Sequence, residues 1–289
     1  MASLTFTVSN AADGQRVDAL VRRQLPELTP QDLRGVFAHR DVKLDGKRVR
    51  PDVRVRAGQT IQVYYVQPAR PAIEVVHQDA DVLLVNKRPG ISVEADERGG
   101  ASLEELVRDY VLAADPGAAV PVPCHRLDNQ TCGLVVFALN PRAGEILRDA
   151  FRRRTLDKIY TCLVKGQPKP PAAVCRAWLR KDSEAGRVAV FDREVPGSRA
   201  IVTGYETLEA GPVSRLRVHL ITGRTHQIRA HMAALGHPLL GDDVYGDRAF
   251  NRAMHAQGKL MLCATSLTLH TDGALPALDG RTFEIPCPF

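Results

Sequence analysis

Apolar positions along the first part of the chain change period once. Val17, Leu20, Val21 and Leu25 recur at helical spacing, and Pro26 closes that stretch. In LTPQDLRGVFAH a second helix starts, with Thr29 as N-cap and Pro30 at its first position. The period then becomes two: Val42 and Leu44 face Val49 across Asp45-Gly46, a strong hairpin-turn dipeptide, and RAGQTIQVYY supplies a further alternating strand. Residues 1–66 therefore read as a small α/β module. Pro68 and Pro71 interrupt both periods and place a linker at residues 67–72.

Residues 73–289 mix the two periods. VLLVNKRPG reads as a strand ending in a Pro-Gly turn, and Ser102 with Glu105 forms a capping box ahead of Leu103, Leu106, Val107, Tyr110 and Val111. GLVVFAL is a buried strand. Asn140-Pro141 then opens a helix whose apolar stripe includes Ile146, Leu147 and Phe151. Farther on, Tyr160, Cys162 and Val164 share one strand face, and Leu216, Val218 and Leu220 alternate with Arg215, Arg217 and His219. That last strand breaks at Thr222-Gly223 and enters a helix with Ile228, Met232 and Leu235 as its buried stripe, closed by Gly236 and Pro238. Without a regular βαβ repeat, the pattern predicts α+β: a mixed, largely antiparallel sheet with flanking helices.

Composition agrees with this division. At roughly 150 residues per domain, a chain of 289 residues makes about two, and 44% hydrophobic content is ample for packed cores. The apolar runs Leu134–Leu139 and Leu260–Ala264 are far shorter than the ~20 residues of a membrane span, and MASLTFTVSN lacks a basic start followed by an apolar signal core. A cytoplasmic, monomeric protein is expected. Six cysteines are scattered without a C-x-x-C pair, so buried thiols are expected rather than zinc sites or disulfides. A net charge of +6 favours polyanionic partners. The charge is locally dense: Lys43, Lys47, Arg48, Arg50, Arg54 and Arg56 are opposed only by Asp45 and Asp52, which suits either a solvated face or a grip on a phosphate backbone.

Candidate chemistry gathers in three stretches. The first, VPCHRLDNQTCG, offers Cys124, His125 and Asp128, but neighbours on an extended segment point in opposite directions, which disfavours a nucleophilic triad and a hydrolase. A metal set of His125, Asp128 and His226 or His231 is also disfavoured, because the last two are five apart rather than four. Asp128 leads straight into a buried strand, where a carboxylate either caps its own turn or faces a cleft. The second stretch, RTLDKIYTCLVKG, places Tyr160 for core packing or for stacking on a flat base, behind a basic rim of Arg152, Arg153, Arg154 and Lys158. In the third, Arg229 lies beside the buried stripe and needs an inward partner, for which Asp128 is the expected group. Gly241–Asp243 reads as a turn whose Asp and Gly serve the backbone.

In this order, HRLDNQTCGLVVFALN, LDKIYTCLVKG and LITGRTHQIRAHMAALGHPLLGDDVYG closely resemble the RluA-type pseudouridine synthases from about residue 73 onward. The preceding module resembles the αL-type RNA-binding domain first recognised in a small-subunit ribosomal protein. The resemblance implies an isomerase that converts uridine to pseudouridine in ribosomal or else transfer RNA, needing no cofactor and no metal; a silent RNA-binding or ribosome-assembly factor is the rival. It makes Asp128 the catalytic aspartate, Tyr160 the residue stacking on the target base and Arg229 the ion-pair partner. Arg126 would help to flip the nucleotide and Leu262 would line the pocket. His125, Thr131, Gly223, Arg224 and Gln227 would contact substrate, and Lys43, Lys47, Arg48 and Arg50 would hold RNA. Two positions depart from the commonest family form: NQTCG replaces a charged pair followed by Thr-Ser-Gly, and Cys263 stands where a histidine is usual.

Overall fold

A computed structural model describes residues 2–25, 28, 30–65, 72–96, 101–182 and 186–289. Thr29, Pro26 and residues 67–71 of the expected linker lie outside the described residues. The chain divides into two compact units, residues 1–72 with 94–106, and residues 73–93 with 107–289.

The first unit holds β1 (Ala2–Thr7), α1 (Val17–Gln24), α2 (Pro30–Ala38), β2 (Val42–Leu44), β3 (Lys47–Arg48) and β4 (Thr60–Tyr65). Its sheet runs β1-β4-β2-β3 with antiparallel neighbours. Strand β1 is an addition to the elements expected; Leu4 and Phe6 alternate with Ser3, Thr5 and Thr7, so the signal was present but short. Val17, Leu20 and Val21 of α1 pack with Val36, Phe37, Val42, Ile61 and Val63. The hairpin turn forms at Asp45 (φ 47°) and Gly46 (φ 78°), the positive pair that a two-residue type I′ turn requires. Asp45 also ties the turn to β4, its carboxylate accepting from Thr60 N and Gln59 Nε2, each at 2.8 Å.

The second unit begins with β5 (Glu74–Gln78) and β6 (Val82–Lys87), followed by α3 (Leu103–Ala114), whose first turn belongs to the other unit. The capping box closes as expected, Glu105 N donating to Ser102 Oγ and Ser102 N to Glu105. Tyr110, expected in the buried stripe, is exposed, and its hydroxyl donates to Gln78. Then come β7 (Val122–Pro123), β8 (Cys132–Ala138), α4 (Pro141–Arg153), β9 (Asp157–Lys165), β10 (Ala172–Asp182), β11 (Arg187–Phe191), β12 (Arg199–Glu209) and β13 (Val213–Leu220). Helices α5 (Gln227–Ala234) and α6 (Arg248–Ala253) precede β14 (Leu262–Thr268) and β15 (Thr282–Glu284).

These strands form one mixed sheet in the order β11-β10-β12-β13-β9-β14-β8-β6-β5, with β15 on β14 and β7 on β8. Among the described residues every pairing is antiparallel except β14 with β8. Asn140 caps α4 by accepting from Ala143 N, and the helix lays Ala143, Leu147 and Ala150 on a core with Leu84, Leu134, Val136, Leu267 and Phe283. Leu235, expected in the buried stripe of α5, is the residue that ends the helix and is exposed.

The parallel seam positions the site. It brings the starts of β8 and β14 to one edge, while β9 runs beside β14 with Tyr160 opposite Ala264 and Cys162 opposite Leu262. The seam is tight enough to dictate a residue. Gly133 has φ 115°, and a Cβ there would lie 2.3 Å from the Ala264 carbonyl oxygen. Gly133→Ala combines a disfavoured backbone with a backbone clash, so it should cost more than about 3 kcal/mol. Urea unfolding read by fluorescence of the sole tryptophan, Trp178 in β10, measures this directly.

Candidate active site

Asp128 lies on the loop between β7 and β8. The loop is held from three directions. Thr131 N donates to Asp128 O at 3.0 Å, closing a turn around the aspartate. Gly90 N donates to Asn129 O at 2.9 Å, and Asn129 Nδ2 donates to Ser92 Oγ at 2.9 Å. From below, the Lys87 ammonium, 1% exposed, donates to the carbonyls of Arg88, Ile91 and Asn129 at 2.8–3.1 Å. Burial lowers the Lys87 pKa to about 8, against the pull of nearby Cys132 and Asp128. Lys87 gave no sequence signal as a site residue because it ends an otherwise apolar strand.

The thiol and imidazole beside Asp128 are committed to packing. Cys124 belongs to the core, and burial pushes its thiol up to about 12. His125 Nε2 accepts from Val136 N at 3.2 Å, and its ring stacks on Phe151 with centroids 4.5 Å apart. Burial and then the Lys158 charge lower its pKa to about 3, so it is neutral. The two do not form a nucleophile–base pair, and the contacts of His125 are structural. Arg126 is exposed on the same loop, while Thr131 is buried with a hydroxyl that has no hydrogen-bond partner among the described residues.

Arg229 reaches Asp128 as expected, with Nη1 donating to Oδ2 at 3.1 Å. Its stronger partner is Asp242, which takes the guanidinium fork through Nε at 2.7 Å and Nη2 at 2.9 Å. Asp242 is fully buried, and its Oδ1 also accepts from Val244 N and Tyr245 N. The Gly241–Asp243 turn thus serves its backbone, as the sequence suggests, and also supplies the principal counter-charge, which sequence reasoning missed. Burial opposes the charge on both groups. The pair overcomes it: Arg229, held by Asp242 and then Asp128, is raised above its ordinary pKa, and Asp242 is held below the carboxylate range by Arg229 and the two N–H groups.

A second side chain approaches Asp128. His226, at φ 54° just before α5, has Nδ1 2.9 Å from Tyr245 Oη and Nε2 3.8 Å from Asp128 Oδ2. Tyr245 Oη also accepts from Val188 N, so the phenol ties His226 to the backbone of β11. Burial lowers the His226 pKa, more than Asp128 raises it. The Tyr245 ring lies under the Arg229 guanidinium at 5.3 Å. The candidate metal ligands do not converge, since His231 Nδ1 instead pairs with Thr203 Oγ1 at 3.0 Å.

The remaining predicted residues divide between wall and scaffold. Tyr160 is 7% exposed with no hydrogen-bond partner for its hydroxyl among the described residues; burial and then the Asp128 charge raise its pKa. Leu262 is buried beside it, across from Cys162. Gln227 is spent on structure: Oε1 accepts from Thr222 Oγ1 and Arg224 N, and Nε2 donates to Val202 O and Thr203 Oγ1. These four bonds fix the loop that precedes α5. Gly223 and Arg224 are exposed on the loop that Gln227 anchors. Cys132 and Cys263, the two departures from the usual family form, face each other across the parallel seam. Cys132 Sγ donates to Leu262 O at 3.5 Å, and the closeness of the two thiols holds Cys132 below its ordinary pKa and pushes Cys263 above it.

A carboxylate fixed on a three-way anchored loop, charge-paired to a buried guanidinium and walled by Tyr160 and Leu262, suits attack or proton removal on a flat substrate. Known proteins resemble the chain as a whole. A family profile described as RNA pseudouridylate synthase matches residues 81–234. The chain is 32% identical over 257 residues to ribosomal large subunit pseudouridine synthase D of Escherichia coli (strain K12), covering 85% of this chain and 77% of that one. It is 29% identical over 273 residues to ribosomal large subunit pseudouridine synthase C of Vibrio vulnificus, covering 88% and 84%. Among solved structures, human RNA pseudouridylate synthase domain containing 1 superposes with a TM-score of 0.62 at 26% identity, over 76% of this chain and 86% of that one.

The ion-pair geometry ranks two substitutions. Asp242→Ala leaves a buried guanidinium without its fork and should cost about 3–5 kcal/mol, whereas Asp128→Ala should cost clearly less because Arg229 keeps Asp242. Since the Asp242 pKa is depressed on folding, its stabilisation is present above the unfolded value of about 3.9 and lost as pH falls through the lower folded value. Urea midpoints of the wild type and Asp242→Ala, followed downward from pH 7, should hold their separation to about pH 4 and draw together below it as Asp242 protonates.

Proposed function

The chain belongs to the RNA pseudouridylate synthase family and is a pseudouridine synthase, and on that premise we propose that it isomerises uridines of ribosomal RNA with Asp128 as the catalytic residue. The observation that carries this reading is the Asp128–Arg229–Asp242 chain of charges beside Tyr160. Two relatives named for the large ribosomal subunit support the RNA class.

The reaction breaks the N1–C1′ bond, turns the base and rejoins it through carbon 5, so atoms and electrons balance without a redox partner. Asp128 acts on the nucleotide as a carboxylate, by attack or by taking a sugar proton. Arg229 fixes its orientation, and the anchored loop keeps it at the reacting centre. The target must leave its helix, which costs a few kcal/mol. Tyr160 and Leu262 offset that cost by packing on the extruded base, while exposed Arg126, two residues before the aspartate, fills the gap left behind.

The first unit is proposed as an RNA-binding module. Lys47, Arg48 and Arg50 are exposed on and after its hairpin, and Lys43 Nζ lies 5.2 Å above the Tyr64 ring. That arrangement presents several cations along one edge, as binding to a phosphate backbone requires.

Asp128→Ala should make no detectable pseudouridine in an unmodified large-subunit rRNA transcript while still unfolding in one cooperative transition; full activity in that variant excludes the assignment. Neutralising Lys47, Arg48 and Arg50 together should reduce the salt dependence of RNA binding by roughly 0.7 for each phosphate no longer neutralised. An unchanged slope removes the hairpin from the interface.

A further inference from the structure

The basic rim around Arg152, Arg153, Arg154 and Lys158 is not uniform. Arg152 pairs with Asp149, and Arg153 pairs with Asp272 at 2.7 Å and Asp149 at 3.6 Å, so the first half of the rim is neutralised within the protein. Arg154 and Lys158 have no side-chain ion pair or hydrogen bond among the described residues. Lys158 is nevertheless buried, with 9% exposure, which is an expensive place for a lone ammonium.

Among the described residues the nearby polar groups are engaged elsewhere, and only the Asp157 charge pulls in favour of the ammonium. The His125 Nε2 is taken by Val136 N, Arg154 carries the same charge, and the two oxygens of Asp157 face His219 at 3.3 Å and His270 at 3.1 Å. Burial, and then the Arg154 charge, lowers the Lys158 pKa. On its open side stands Gly223. Its φ lies outside the left-handed region, so the backbone does not demand glycine there, and a Cβ would sit 3.9 Å from Lys158 Nζ. The missing side chain leaves room beside the ammonium, and the exposed loop that carries Gly223 continues through Arg224 to His226 toward Asp128.

Lys158 also lies two residues before Tyr160 on β9, on the same strand face. Two strand residues span about 6.7 Å, the scale of a step from a base toward its own backbone. We propose that Lys158 and Arg154 form a seat for a phosphate of the target strand, next to the nucleotide whose base packs on Tyr160. This inference rests on the reading of Asp128 and Tyr160 as the nucleotide site, and it adds the group that would grip the backbone there. A phosphate supplies the acceptor oxygens that the protein withholds from both cations.

The test uses the full chain and an unmodified large-subunit rRNA transcript, measuring binding affinity against KCl concentration. Lys158→Met keeps the volume and removes the charge. It should bind about tenfold more weakly at low salt, with a slope lower by roughly 0.7 and thermal stability equal to or above wild type. Arg154→Met, at an exposed position, should lower the slope similarly, and Lys158→Arg should restore it. Arg152→Met, whose charge is already paired, should keep the wild-type slope. Equal slopes for wild type, Lys158→Met and Arg154→Met overturn the seat, as does an equal loss from Arg152→Met. Wild-type turnover on the same transcript judges the catalytic reading separately, because the slopes are obtained whether or not product forms.

Discussion

One buried cation organises the catalytic unit. Arg229 sits on α5 with its guanidinium out of water, and such a charge persists only when its hydrogen bonds are filled. Asp242 fills the fork and Asp128 takes the remaining edge. Around this pair the backbone has no slack: a Cβ on Gly241 would lie 1.9 Å from Lys259 O, and one on Gly246 would lie 2.1 Å from Asp242 O. Asn251 completes the clamp by accepting from Gly241 N and donating to Asp242 O. The Asp128 carboxylate is therefore positioned by a turn more than a hundred residues away in sequence.

That arrangement separates stability from reactivity. Because Asp242 carries the fork, Arg229 keeps a partner whatever Asp128 does, which is what the proposed role of Asp128 requires. Lys87 works from the other side, spending its three protons on carbonyls of the two loops that meet beneath Asp128. The parallel seam between β8 and β14 brings these parts to one edge of the sheet, with Tyr160 and Leu262 as its wall. Sheet, turn and loop thus converge on one oxygen pair.

Much of this was legible in the sequence because periodicity and capping are local. The buried strand after Asp128, the Asn140 cap, the Asp45-Gly46 turn and the Ser102–Glu105 box all follow from residues within a few positions of each other. The Asp128–Arg229 pairing was reached by a cost argument about an inward arginine. What stayed hidden depends on long-range neighbours. Asp242 resembles any turn aspartate until the fold brings Arg229 to it, and the bonds of Gln227 to Val202 and Thr203 cross more than twenty residues of sequence. The four basic residues from Arg152 to Lys158 look equivalent in one dimension; only the positions of Asp149 and Asp272 divide them. Tyr110 and Leu235 erred for a simpler reason, since helical spacing alone does not say where a helix face reaches solvent.

The central claim is that this geometry makes pseudouridine in ribosomal RNA inside the cell. Nucleotide-resolution mapping of pseudouridine in rRNA from cells deprived of the protein, with and without resupply of the chain, tests it most directly. The account predicts that discrete large-subunit uridines lose the modification and regain it on resupply. Identical maps under all conditions would contradict it.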